Sequence, residues 1–227
     1  MTFRHCLPIG PLNLPLSNPL LNRRVNYWKA STLITIKMLG WNMNVANGAN
    51  LHELILYATP TGDLLSWCND YFDIAAQHGG TEAQNYPPHC SMTGFFHRSA
   101  SRSNEAIDAL SNIGVKSIDI PIDSLNLSID KPDWLGIEIQ SEMLKTITSL
   151  FSSNYKHLSD EDPLRVKEWL HLSLAYGVKD INPFKKALNN ICDLPSESSW
   201  EVALWQRRRQ NIWKRLNFES DRKHEDC

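Results

Sequence analysis

The chain lacks most of the features that would place it in a specialised class. No apolar run approaches the about eighteen residues that suggest a membrane-spanning helix. The N-terminus has no charged start followed by a compact apolar run and a small-residue cleavage site, so neither secretion nor a membrane partner is expected. Cysteine is sparse: Cys6, Cys68, Cys90, Cys192 and Cys227 are odd in number and widely scattered, with no Cys-x-x-Cys and no zinc-ligand spacing. A reducing compartment, the cytoplasm, fits that usage. Acidic residues are absent from 1–52, which carry Arg4, Arg23, Arg24, Lys29 and Lys37. Taking those five from the 23 basic side chains leaves 18 against 25 acidic ones in the body. A body of that charge is a poor general binder of nucleic-acid duplexes, whose affinity rests on many Lys and Arg contacts to phosphates. A small nucleotide or a strand end is easier to accommodate.

What is present is the composition of a globular protein: 227 residues, 42% apolar and 21% charged, enough for one domain or two closely joined lobes. Residues 1–50 read differently, with several prolines, a Leu-, Pro- and Asn-rich run over 12–21 and little periodicity. They are expected to be a disordered extension, or the result of a start codon placed ahead of Met38 and Met43. An organelle leader is the alternative, although serines are few and the arginines do not mark one helical face. The folded region is expected over 51–218, followed by a polar tail at 219–227.

Within that region the elements recur. Residues 54–59 read as a buried strand stopped by Pro60 and Gly62, and a helix follows that carries Leu64, Leu65, Cys68, Tyr71, Phe72 and Ala75. The next strand starts at His89 and runs to about Phe96. A second helix, capped by Ser101 or Ser103, presents Ile107, Leu110 and Ile113, and β character returns at Ile118, Ile120 and Ile122. After the linker Asp130-Lys131-Pro132-Asp133 the order starts again. A strand spans 136–140, a helical stripe holds Met143, Leu144, Ile147, Leu150 and Phe151, and a strand at 168–177 carries His171. Asn182-Pro183 opens a further helix, and a strand at 200–205 is joined to 211–218 as a hairpin. Shifting by the 82 residues that separate His89 from His171 places Ser117-Ile118-Asp119-Ile120 on Ser199-Trp200-Glu201-Val202. The expected architecture is therefore α+β: a duplicated, two-lobed protein with repeats at about 52–128 and 134–210, antiparallel sheets lining a central cleft and helices outside.

The segments His89-Cys90-Ser91-Met92 and His171-Leu172-Ser173-Leu174 occupy equivalent places in the two repeats. Alternation along a strand puts His89, Ser91 and Thr93 on one face and Cys90 and Met92 on the other, and puts His171 and Ser173 together likewise. Two such strands side by side surround a small tetrahedral anion with two imidazoles and two hydroxyls. Either histidine alone would be an ordinary sheet residue, and their occurrence in register argues against coincidence. A metal site using Asp119 and Glu201 lacks closely spaced ligands. A serine nucleophile is disfavoured within one motif, since Ser91 and His89 stand roughly 7 Å apart along the strand, while pairing across the motifs remains open.

Two His-x-Ser-hydrophobic motifs about eighty residues apart in a duplicated pattern resemble the 2H phosphoesterases, and within them the cyclic phosphodiesterases acting on 2′,3′-cyclic phosphates or ADP-ribose cyclic phosphate. The resemblance covers about residues 52–210. It implies that His89 and His171 are catalytic, that Ser91 and Ser173 hold the phosphate, that no cofactor is needed and that the product is a 2′-phosphate. Near neutral pH one imidazole can accept a proton from water while the other donates one to the leaving sugar oxygen, and the hydroxyls can stabilise charge on the phosphoryl oxygens. Thr93 is a weaker candidate for the phosphate row, and Tyr57 and Trp169 for contact with a base, although Tyr57, Trp134, Trp169 and Trp205 all suit a core equally well. The expected partner is a small cyclic-phosphate nucleotide bound by a monomer. RNA ends are the alternative, because Arg207, Arg208, Arg209, Lys214, Arg215, Arg222 and Lys223 interleave with Trp205 and Trp213. A solvated, charge-guarded edge hairpin explains the same residues.

Overall fold

A computed structural model describes residues 51–156, 164–209 and 212–216. In order, these form β1 (Leu51–Thr61), α1 (Gly62–Ala76), β2 (Cys90–Ser91), β3 (Phe96–Ser99), α2 (Ser103–Ser111), β4 (Ser117–Asp119), β5 (Leu125–Ser128), β6 (Trp134–Ile139), α3 (Glu142–Lys156), β7 (His171–Tyr176), α4 (Asn182–Ala187), β8 (Ser199–Arg209) and β9 (Ile212–Leu216). The expected extension at 1–50 and tail at 219–227, with Arg222 and Lys223, lie outside the described residues.

Among the described residues all nine strands join one antiparallel sheet in the order β4-β8-β1-β2-β7-β6-β5, with β3 also on β1 and β9 on β8. The α+β architecture with helices outside is the one expected. Leu54, Leu56, Ala58, Cys90, Met92, Leu172 and Leu174 are fully buried on one side of the sheet, in a core shared with Leu64, Cys68 and Tyr71 of α1, Ala106 and Leu110 of α2 and Leu144, Ile147 and Phe151 of α3. The other side of the sheet carries the histidines.

The two halves meet at β2 and β7, where Cys90 pairs with Leu172. Each half is completed by a strand from the other sequence repeat: β8 pairs with β1, and β5 with β6. The duplication is thus a pattern of elements whose outer strands are exchanged across the sheet.

Several boundaries differ from the sequence reading for physical reasons. β1 continues through Pro60 to Thr61, paired with β8 from Glu53 to its end. Leu56 N–H points toward the β2 side, where it meets Thr93 Oγ1, and period-two alternation points residue 60 the same way. The β1·β2 ladder ends at Ala58–Cys90, so the missing N–H of proline interrupts no pairing. The His89 strand is not continuous to Phe96: β2 holds two residues, Thr93 makes an isolated bridge to Val166, and β3 begins at Phe96. The stripe on α3 is Leu144, Ile147, Thr148, Phe151 and Tyr155, while Met143 and Leu150 are exposed. Ser103 opens α2 without capping it and bonds His52 Nδ1 at 2.8 Å instead.

Candidate active site

The register at the sheet centre does what neither motif does alone. With Cys90 opposite Leu172, continuing the antiparallel pairing by one residue each way sets His89 opposite Ser173 and Ser91 opposite His171. Each histidine therefore stands across from the serine of the other motif. All four line a cavity of about 540 Å³, whose wall also includes Asp133, Trp134 and Tyr176. Cys90 and Leu172 lie beneath, with no exposed surface. Burial pushes the Cys90 thiol up to about 12, which marks it as core.

Both imidazoles are held in the same way. His89 Nδ1 lies 2.7 Å from the carbonyl oxygen of Pro87, and His171 Nδ1 lies 3.2 Å from that of Trp169. A carbonyl oxygen only accepts, so each Nδ1 carries the proton and donates it to the chain two residues earlier. That leaves Nε2 of each ring to the cavity, with a lone pair when neutral and a proton to give when charged. Aromatic rings back both: Tyr57 lies against His89 with centroids 3.9 Å apart, and Trp169 stacks on His171 at 3.8 Å and 26°.

Their protonation differs in degree. Burial is the largest influence on His89 and lowers its pKa to about 4, with repulsion from His171 adding to the effect and the Pro87 hydrogen bond opposing it. His171 is lowered too, first by burial and then by the charges of Lys167 and Lys131, against the opposing pull of the Trp169 hydrogen bond and Glu138. Lys131 reaches this side of the cleft because its ammonium sits 3.9 Å from the centre of the Trp169 ring and 2.7 Å from Glu138 Oε1.

Sequence reasoning left Trp134 among the core aromatics, and the structure gives it a second task. Its Nε1–H donates to Ser173 Oγ at 2.9 Å. An indole N–H only donates, so the Ser173 oxygen is the acceptor and its own hydrogen is free to point at an anion in the cavity. The ring reaches Ser173 by crossing Gly136: a Cβ there would collide with the Trp134 ring and with the carbonyl oxygen of Leu172. The spacing Trp134-x-Gly136 on one strand was the available signal, an indole beside a residue without a side chain on the same face.

The weaker candidates border the site without lining the larger cavity. Thr93 is fully buried, its Oγ1 accepts Leu56 N–H at 3.1 Å, and it borders a neighbouring cavity of about 180 Å³. Tyr57, only 1% exposed, borders that smaller cavity from beneath His89, and Trp169 is 46% exposed beside His171. Asp119 Oδ1 accepts from the Ser199 hydroxyl, and Glu201 pairs with Arg215, so neither carboxylate orients a histidine. Among the described residues no group of three His, Cys, Asp or Glu side chains converges as a metal site. Arg207 pairs with Glu53 and lies over the Trp213 ring, so part of the basic hairpin is neutralised within the fold. No described helix is long and apolar enough to cross a membrane.

Fold and site together define an α+β protein with a two-histidine, two-serine cleft at the centre of an antiparallel sheet. No protein-family model matches the chain. The chain is similar to the ecdysteroid-phosphate phosphatase of Bombyx mori, with 26% identity over 161 residues, 68% of this chain and 24% of that protein. It thus spans about a quarter of that relative's length. Its structure superposes on the crystal structure of E. coli LigT in apo form with a TM-score of 0.45 and 10% sequence identity, over 74% of this chain and 95% of that one.

Proposed function

We propose that the chain is a metal-independent phosphodiesterase of the 2H type that opens a 2′,3′-cyclic phosphate on a nucleoside or on ADP-ribose, leaving a 2′-phosphate. The observation that carries this reading is the matched pair of imidazoles, each tied through Nδ1 to a backbone carbonyl so that Nε2 is left to one shared cavity. Ser91 and Ser173 place hydroxyls between them, and Trp134 orients the second. The phosphatase name of the Bombyx mori relative agrees with the broader class, hydrolysis of a phosphate ester.

In this mechanism His89, the more strongly depressed of the two, is neutral and takes a proton from water at Nε2 as the water oxygen bonds to phosphorus. His171 donates its Nε2 proton to the sugar oxygen as the other P–O bond breaks. The bound phosphate anion raises both imidazole pKa values, and the less depressed His171 takes the proton. The serine hydroxyls meet the charge that builds on the nonbridging oxygens. The test is incubation of the purified chain with adenosine 2′,3′-cyclic phosphate in EDTA, followed by phosphorus NMR. Release of adenosine 2′-phosphate is expected. Turnover that requires added metal would overturn the mechanism.

A further inference from the structure

The smaller cavity adjoins the catalytic one, sharing His89, Ser91 and Tyr176 with it, and it is where the described fold places Arg165 and Lys167 side by side. The chain brings them there deliberately: Gly94 N–H donates to Arg165 O at 2.7 Å and Lys167 N–H to Met92 O at 3.0 Å, on either side of the Thr93–Val166 bridge. The Arg165 guanidinium lies over Gly94, where an added Cβ would approach its Nε to 2.8 Å. Among the described residues neither cation has an ion-pair partner. Lys167 is partly buried and feels Arg165 as a repelling neighbour. Two adjacent like charges that have no counter-charge among the described residues, beside the cavity of His89 and Ser91, are stabilised by an anion. Beside them the exposed Phe95 ring, backed by Trp213 at 5.7 Å and 19°, offers a flat apolar face.

We infer that this smaller cavity is a subsite for a second phosphoryl group, so that the preferred substrate is a nucleotide carrying a phosphate in addition to the cyclic one held between His89 and His171. This rests on the phosphodiesterase reading. The second group is either a terminal 5′-phosphate or the internucleotide phosphate of a strand end. Both present phosphoryl oxygens to the same Arg–Lys pair, as a monoester in the first case and a singly charged diester in the second.

The experiment compares kcat/KM for adenosine 2′,3′-cyclic phosphate, its 5′-phosphorylated derivative and the adenylyl dinucleotide ending in a 2′,3′-cyclic phosphate. In parallel, calorimetry compares adenosine 2′-phosphate with adenosine 2′,5′-bisphosphate, in the wild type, Arg165→Gln and Lys167→Gln. An advantage of about tenfold or more for ligands with the second phosphate is expected, from one or two charge-assisted hydrogen bonds. It should shrink toward unity in both variants. Whichever of the two phosphorylated substrates gains more identifies the source of the group. Equal affinities in the wild type, or an advantage that survives both substitutions, would overturn the subsite. Bisphosphate preference without turnover of any cyclic phosphate overturns the phosphodiesterase reading and upholds the subsite; turnover without preference does the reverse.

Discussion

The substitution Trp134→Phe separates the orientation of Ser173 from its presence. It removes the Nε1–H that donates to Ser173 Oγ at 2.9 Å while keeping an aromatic ring edge-on to His171 and beneath Lys131. Losing one neutral hydrogen bond is worth about 0.5–1.5 kcal/mol, a factor of about 2–10 in kcat/KM for the cyclic phosphate. Ser173→Ala removes the donor itself and should cost about 10²–10³ in kcat, as other oxyanion donors do. If the indole acts through the hydroxyl, Trp134→Phe made in the Ser173→Ala background changes kcat/KM hardly at all, and the double-mutant cycle shows a coupling as large as the single effect. Steady-state hydrolysis by the four proteins, each verified as folded by its melting temperature, provides the readout. Additive losses would refute the reasoning, since they would mean that Trp134 contributes by a route that bypasses Ser173.

Further outcomes follow from the same geometry. For free enzyme, kcat/KM should rise with pH as His89 loses its proton near about 4 and fall as His171 loses its own below the usual imidazole value of about 6.5; a profile flat from pH 4 to 8 contradicts the assignment. Stability should fall as pH is lowered from about 6.5 to about 4, because the unfolded chain binds a proton at residue 89 there and the folded one does not. The loss is roughly 2–3 kcal/mol, and urea titrations of His89→Asn should show a flatter dependence. Gly136→Ala should destabilise by about 1–3 kcal/mol through overpacking and lower kcat with it, because the new methyl group displaces the Trp134 ring. Cys90, buried with its thiol pushed up to about 12, should resist alkylation in the native protein when digests are read by mass spectrometry.

The sheet and the histidine pair were legible because they depend on local alternation. Leu54 to Thr59, Ile137 and Ile139, and the stretch from His171 to Tyr176 carry β-forming runs, and the helices show apolar stripes at their own period. Pairing between distant strands leaves no such mark. Nothing in Trp200 to Trp205 says that it crosses to β1 instead of staying with its own repeat, and that exchange appears only in the register of Leu56 with Leu204. The same applies within the site. Two His-x-Ser motifs mark the residues that line the cleft, but the placing of His89 across from Ser173 follows from a single contact, Cys90 to Leu172. Thr93 borders the smaller cavity instead of the larger one, because the regular strand ends at Ser91 and its hydroxyl oxygen accepts a backbone N–H. Arg165 and Lys167 gave no signal at all in sequence, since their meaning depends on a bridge to residue 93 over seventy positions away.

The central claim is that two imidazoles, and no metal, perform the proton transfers. Its most direct test is kcat/KM for a 2′,3′-cyclic phosphate in EDTA, measured for the wild type, His89→Ala and His171→Ala. The account predicts that the wild type keeps its activity and that each variant loses at least about 10²-fold, the usual contribution of a positioned acid or base. Wild-type activity in either variant would contradict it.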